Sequence, residues 1–182
     1  MEFDINKNNP LVKSLLPVIK LYEGYRQNFY ICSKDKVTIY YGRNVEDNPF
    51  TSKEYKIIRR NIKEYGDTSA THLIIGEEIL KHDIANTIYY AFNWIGEKNF
   101  KHLPEPAKEV ITEMCFILGP IRLKKFTGLK TALLNKNYTL AAREVKYKKG
   151  TDLNSPLSQL YIDIKELRGE HLYTKMLSAK NN

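Results

Sequence analysis

Phe29-Tyr30-Ile31-Cys32, then Ser33-Lys34-Asp35-Lys36, then Val37-Thr38-Ile39-Tyr40-Tyr41-Gly42: this stretch decides the fold class. Two runs rich in aromatic and β-branched residues flank a polar tetrapeptide, which is the pattern of a β-hairpin. A third short strand is expected near Val45, before the loop through Asn48-Pro49. Upstream, Leu15, Val18, Ile19 and Tyr22 recur at helical spacing. Ser14 as N-cap, Pro17 in the first turn and Gly24 as the stop give a helix over 14–22.

Downstream the pattern is helical throughout. Thr51 and Glu54 make a capping box for a helix carrying Tyr55, Ile58, Ile62 and Tyr65, closed by Gly66. A longer helix runs from His72 or Gly76 to Trp94. Pro104 and Pro106 open an apolar helix over 110–118 that Gly119-Pro120 ends. Shorter helices are expected over 123–134, 139–147, 155–167 and 171–177. The fold class is therefore α+β and predominantly helical. A small N-terminal lobe with the hairpin (1–71) is joined by a long helix (72–95) to an all-helical C-terminal lobe (96–182).

Bulk properties narrow the function classes. With 182 residues, 42% of them apolar, the chain can bury a substantial core. No run approaches the roughly 20 apolar residues that span a bilayer, so no membrane insertion is expected. Residues 1–9 are polar and acidic where a signal peptide is basic and then apolar. Synthesis in the cytoplasm is the expectation, with delivery by another agent to any target beyond the membrane. The net charge of +8 implies a field that attracts polyanions without choosing among them. The cations are scattered and no nucleic-acid-binding signature is present, so nucleic acid is not an expected partner. Cys32 and Cys115 make no disulfide framework, and Cys115 lies in an apolar helical run. His72, His82, His102 and His171 lack metal-ligand spacing. No metal or cofactor is expected.

Glu23 ends the first amphipathic helix beside the hairpin. A carboxylate at a helix C-terminus is disfavoured by the macrodipole, which drives its pKa upward. If 33–37 form the turn, Cys32 and Thr38 face each other across the hairpin and share one side of it. A carboxyl, a thiol and a hydroxyl then look toward one another, a set suited to acid–base work on a bound water.

The run Glu23-Gly24-Tyr25-Arg26, with Tyr30, Cys32, Thr38-Ile39 and Gly42, resembles the catalytic signature of phage lysozymes of the T-even type. That signature is Glu, eight residues, Asp or Cys, five residues, Thr, and both gaps match here. The likeness continues through Ile79-Leu80, Asp83-Ile84, Phe116, Gly119, Phe126-Thr127, Leu129, Leu133 and Ala141-Ala142. It covers roughly Ser14 to Tyr173.

The resemblance implies a lysozyme-like fold with a cleft between lobes. The activity it implies is hydrolysis of the β-1,4 bond between N-acetylmuramic acid and N-acetylglucosamine in peptidoglycan. Glu23 would protonate the leaving oxygen, Cys32 would occupy the position of the second, water-activating group, and Thr38 would orient the water. Lys34, Lys36 and Arg43 are the cations expected to favour a Cys32 thiolate. Tyr40, Tyr41, Phe116 and Tyr147 are the candidate substrate contacts. Where relatives carry Gly-x-Gly-His after the Thr-Ile, this chain has Tyr40, Tyr41, Gly42 and Arg43. Arg43 replaces a His that in relatives pairs with the acid matching Asp83, so a permanent Arg43–Asp83 link between hairpin and long helix is expected. Ile117 stands where relatives often carry a polar amide. The implied partners are peptidoglycan glycan strands, with a pore-forming holin or a particle for delivery, acting on a monomer. The alternative expectation is a catalytically impaired lysozyme-fold protein serving as a wall-binding or structural module.

Overall fold

A computed structural model describes residues 6–33 and 35–181. The expectations that rest on Met1–Ile5 and on Lys34 lie outside those residues. The architecture is mostly helical α+β with one three-stranded antiparallel sheet among the described residues. The chain divides into two compact units, Asn6–Ala85 and a second from Asn86 onward.

The first unit opens with α1, Pro10–Glu23. It starts four residues before the expected Ser14. The side chain of Asn9 accepts from the Leu11 N–H (2.9 Å), and Pro10 takes the first helical position, where a missing N–H does no harm. Ser14 instead donates its hydroxyl to the Leu11 carbonyl (3.1 Å). Pro17 is thus interior, where it removes a backbone hydrogen bond. Burial of Leu11, Val12, Leu15 and Ile19 offsets that loss. Gly24 ends the helix at a positive φ of 67°.

The hairpin follows as β1 (Arg26–Ile31) and β2 (Val37–Tyr40), with β3 (Arg43–Asn44) on the far side of β2. The third strand comes slightly before the expected Val45. Tyr30 pairs with Thr38 and Ile31 with Val37. The register differs from the expected one: Tyr30, not Cys32, stands opposite Thr38. Cys32 lies one residue past β1, its N–H donating to the Lys36 carbonyl (3.0 Å). The two-residue period of a strand still brings Cys32 and Thr38 to the same side, as diagonal neighbours. Asp35 absorbs the turn at a φ of 54°.

Next come α2 (Ser52–Tyr65) and α3 (Ser69–Ile95). Both halves of the Thr51/Glu54 capping box form, and Gly66 closes α2. The boundary between the two compact units falls inside α3.

The second unit continues with α4 (Glu97–His102), α5 (Glu105–Leu123), α6 (Thr127–Leu134), α7 (Tyr138–Lys146), α8 (Gln159–Asp163) and α9 (Lys165–Ser178). Phe100, Ile111, Met114, Leu123 and Leu129 are fully buried in it. Gly119 breaks α5 at a φ of 73°, and Pro120 begins a further turn. The helix expected over 155–167 is replaced by the short α8 and the start of α9. Ser158 caps α8 by accepting from the Tyr161 N–H (3.1 Å), while Ser155 is drawn into the preceding loop by the Lys149 N–H (2.8 Å). The buried Glu113 carboxylate accepts from Arg168 Nε (2.8 Å), tying α5 to α9.

Candidate active site around Glu23

Glu23 is the last residue of α1 and is half-buried. Its side chain folds over the turn between β2 and β3. A Cβ built on Gly42 would stand 3.1 Å from Glu23 Oε2, and Gly42 has a φ of 75°. The backbone conformation therefore favours glycine at position 42, and the carboxylate lies where a side chain would begin.

Beneath this turn lie three tyrosines. The Tyr25 ring stacks on Tyr40 (centroids 6.2 Å apart, planes 15° apart) and meets Tyr41 at 5.3 Å. Tyr40 and Tyr41, expected as saccharide-stacking faces, retain only 4% and 5% exposure. Their rings are committed to packing. Tyr40 also holds a φ of 55°, a left-handed conformation costly for a residue with a Cβ. Three contacts stabilise it: the Tyr25 stack, the bare Gly76 backbone of α3, and a hydrogen bond from its hydroxyl to His72 Nδ1 (3.0 Å). Asp67 in turn orients His72 through Nε2 (2.7 Å). Burial pushes the Tyr40 phenol up to about 12, so it stays protonated.

On the hairpin side, Thr38 is 2% exposed and donates its hydroxyl to the Lys36 carbonyl (3.0 Å). Cys32 is half-buried and forms no disulfide. Tyr30, quoted in the signature run but given no role there, lies within electrostatic reach of both Cys32 and Glu23. Its phenol pKa is raised, first by burial and then by the negative charges of Cys32 and Glu23, with Arg26 opposing. The Arg26 guanidinium sits 4.4 Å from the Tyr30 ring centre. One hydroxyl thus senses both the carboxyl and the thiol.

Two of the cations expected beside Cys32, Lys36 and Arg43, are engaged by carboxylates. Lys36 pairs with Glu46 (3.2 Å) and Asp47 (3.3 Å). Arg43 is buried and uses all five N–H groups: Nε to the Asn48 carbonyl (2.7 Å), Nη1 to Glu54 Oε1 (3.1 Å) and Asp83 Oδ1, Nη2 to the Pro49 carbonyl (3.0 Å) and Glu54 Oε2 (3.2 Å). The expected Arg43–Asp83 contact is present, with Glu54 as a second, unforeseen carboxylate. One cation serving two buried acids splits their pKa values. Burial pushes Asp83 up to about 6, against the pull of Arg43 and with a further push from Glu54. Burial also acts upward on Glu54, but the Thr51 backbone N–H and Arg43 outweigh it, and its pKa falls. Glu54 was legible only as a capping residue, since nothing local marks a capping carboxylate for a second partner.

Phe116 on α5 and Tyr147 after α7 belong to the second unit, and both are half-buried. Tyr147 packs against the cations of Arg143 (5.2 Å) and Lys146 (5.8 Å). Among the described residues no cluster of His, Cys, Asp or Glu could hold a metal ion. No protein-family model matches this chain, and no match is found among curated proteins.

Proposed function

We propose that this chain is a muramidase of the phage-lysozyme type that cleaves peptidoglycan glycan strands, with Glu23 as the general acid. The observation that carries this reading is the helix-terminal Glu23 carboxyl lying against Gly42 at the hairpin's second turn, with Cys32 and Thr38 on one side of the same hairpin. The left-handed backbone at Tyr40 adds support, because the lysozyme signature carries glycine there. On an inverting route Glu23 protonates the leaving oxygen, while a second group, about 6.5–9.5 Å away across the sugar, activates water. Cys32 is that group by position, with Thr38 and Tyr30 beside it to hold the water. The partners that go with this reading are glycan strands and a holin-like pore or a particle for delivery, with a monomer as the working unit.

A second reading is favoured by two observations. The Thr38 hydroxyl donates to the Lys36 carbonyl, and Thr38 is only 2% exposed, so water orientation has weak support. On that reading the protein binds wall glycan with little or no turnover. Lysis of permeabilised Gram-negative cells separates the two. The enzyme reading expects clearing by the parent and none by Glu23→Gln. Equal weak clearing by both proteins defeats it. Loss of clearing in Cys32→Ser with a gain in Cys32→Asp assigns the base role to position 32.

A further inference from the structure

Helix α2 buries only two side chains, Glu54 and Asn61, and both are polar. At 3.6 residues per turn most of its remaining positions fall in two bands, with the half-buried Ile57 and the exposed Glu64 on the far side of the buried edge. Tyr55, Ile58, Ile62 and Tyr65 form an apolar strip next to the buried edge, with Tyr55 49% and Tyr65 56% exposed and both isoleucines half-buried. Phe50 extends the strip, its ring meeting Tyr55 edge-on at 5.7 Å. Beyond the strip lie Lys53, Lys56, Arg59, Arg60 and Lys63, all exposed and all within about 120° of arc.

The charge on this arc is unmatched. None of the five cations forms an ion pair among the described residues. Glu64, the one acid beside them, bonds the Tyr65 hydroxyl instead. Around α1 and α3 the pattern is the reverse, with Lys7 and Lys20 bridged to Glu78 and Glu77 (2.6 Å each) and Lys81 to both acids. Within the first unit, the cations without ion-pair partners crowd onto the same helix that leaves apolar side chains open.

We propose that α2 is an interfacial docking element that lies on an anionic phospholipid bilayer, with its apolar strip at the acyl boundary and its cationic arc among the headgroups. A helix of low mean hydropathy, with basic residues on one band and aromatic and aliphatic residues on the next, has the composition for that position. A soluble polyanion would use the five cations but leave the apolar strip in water. The element rests on the surface and does not span it; no helix among the described residues is long and apolar enough to cross a membrane. Docking of this kind holds the protein at a membrane face whether or not Glu23 is catalytic.

The test is co-sedimentation of the full chain with phosphatidylcholine vesicles, with and without about one-quarter phosphatidylglycerol. Binding is expected only to the anionic vesicles, weakening as salt rises. Each cation near such a surface changes partitioning about fivefold, so Lys53→Gln/Lys56→Gln/Lys63→Gln is expected to lower it about a hundredfold. Those three side chains are exposed, and circular dichroism checks that the fold is kept. The fluorescence of a Tyr65→Trp reporter is expected to shift to the blue with anionic vesicles and to be quenched by brominated acyl chains, but to stay unshifted with inorganic polyphosphate. Equal partitioning of the parent and the triple variant overturns the proposal. So does a reporter signal that ignores the brominated lipid.

Discussion

Replacing Arg43 by Met removes the guanidinium that Glu54 and Asp83 share while keeping most of the side-chain length. Arg43 and Glu54 are each 3% exposed at the side chain and Asp83 is 12% exposed, so water cannot take over the lost hydrogen bonds. The carbonyls of Asn48 and Pro49 lose their donors as well. Breaking a buried ion pair from one side costs about 3–5 kcal/mol. For a chain of this size that corresponds to a fall of about 6–20 °C in Tm. Thermal unfolding followed by far-UV circular dichroism at neutral pH measures it. Arg43→Lys should recover only a minor part, because an ammonium cannot span two carboxylates and two carbonyls in a plane. Adding Glu54→Gln and Asp83→Asn to Arg43→Met should restore much of the loss, since the stranded charges are gone. A Tm within about 2 °C of the parent for Arg43→Met would refute the claim that this guanidinium holds the first unit together.

Asp83 has a folded pKa of about 6 against an ordinary value of 3.8, so the folded state favours its protonated form. This group therefore adds stability as pH falls from about 7 toward about 4, and Asp83→Asn should flatten that part of a Tm-versus-pH curve. The Glu54 pKa is lowered, so its contribution is present above the ordinary carboxylate range and lost on further acidification, which Glu54→Gln should abolish. Gly76→Ala should destabilise despite better helix propensity, because the new methyl would meet the Tyr40 and Tyr25 rings at 3.1–3.2 Å. A cost of about 1–3 kcal/mol in urea unfolding is expected for such overpacking, and a gain in stability would contradict it. If the proposed muramidase reading holds, Gly42→Ala should lose cell-wall lysis more than about tenfold while lowering stability by only about 1–2 kcal/mol, since the added methyl crowds the Glu23 carboxylate. Unchanged turnover in that variant would count against the placement of Glu23.

The hairpin, the capping box of α2 and the break at Gly119 were readable because each depends on neighbours in the chain: alternation, a Thr three residues before a Glu, a Gly-Pro pair. The start of α1 was misplaced because Ser14 competed with Asn9-Pro10, and both are sound local start signals. The Cys32–Thr38 pairing was off by two residues because register depends on how the turn is taken up, here with Asp35 at a positive φ, and loop composition does not reveal that. The Arg43–Asp83 contact was foreseen through resemblance alone, as forty residues separate the partners. Glu54 was missed in its second role for the same reason. Tyr40 and Tyr41 looked like surface platforms until Tyr25 and Gly76 were seen against them, and burial of an aromatic ring has no local signature.

Tyr40 and Gly76 also constrain the protein's history. With a large ring in place at 40, any side chain at 76 collides with it; with position 76 bare, a return to glycine at 40 would leave a void where the ring had been. Neither residue can be exchanged comfortably alone, so whichever arrived first made the other hard to reverse. The pair works as a ratchet in sequence space, and grafting this turn onto a related scaffold would require moving both positions together.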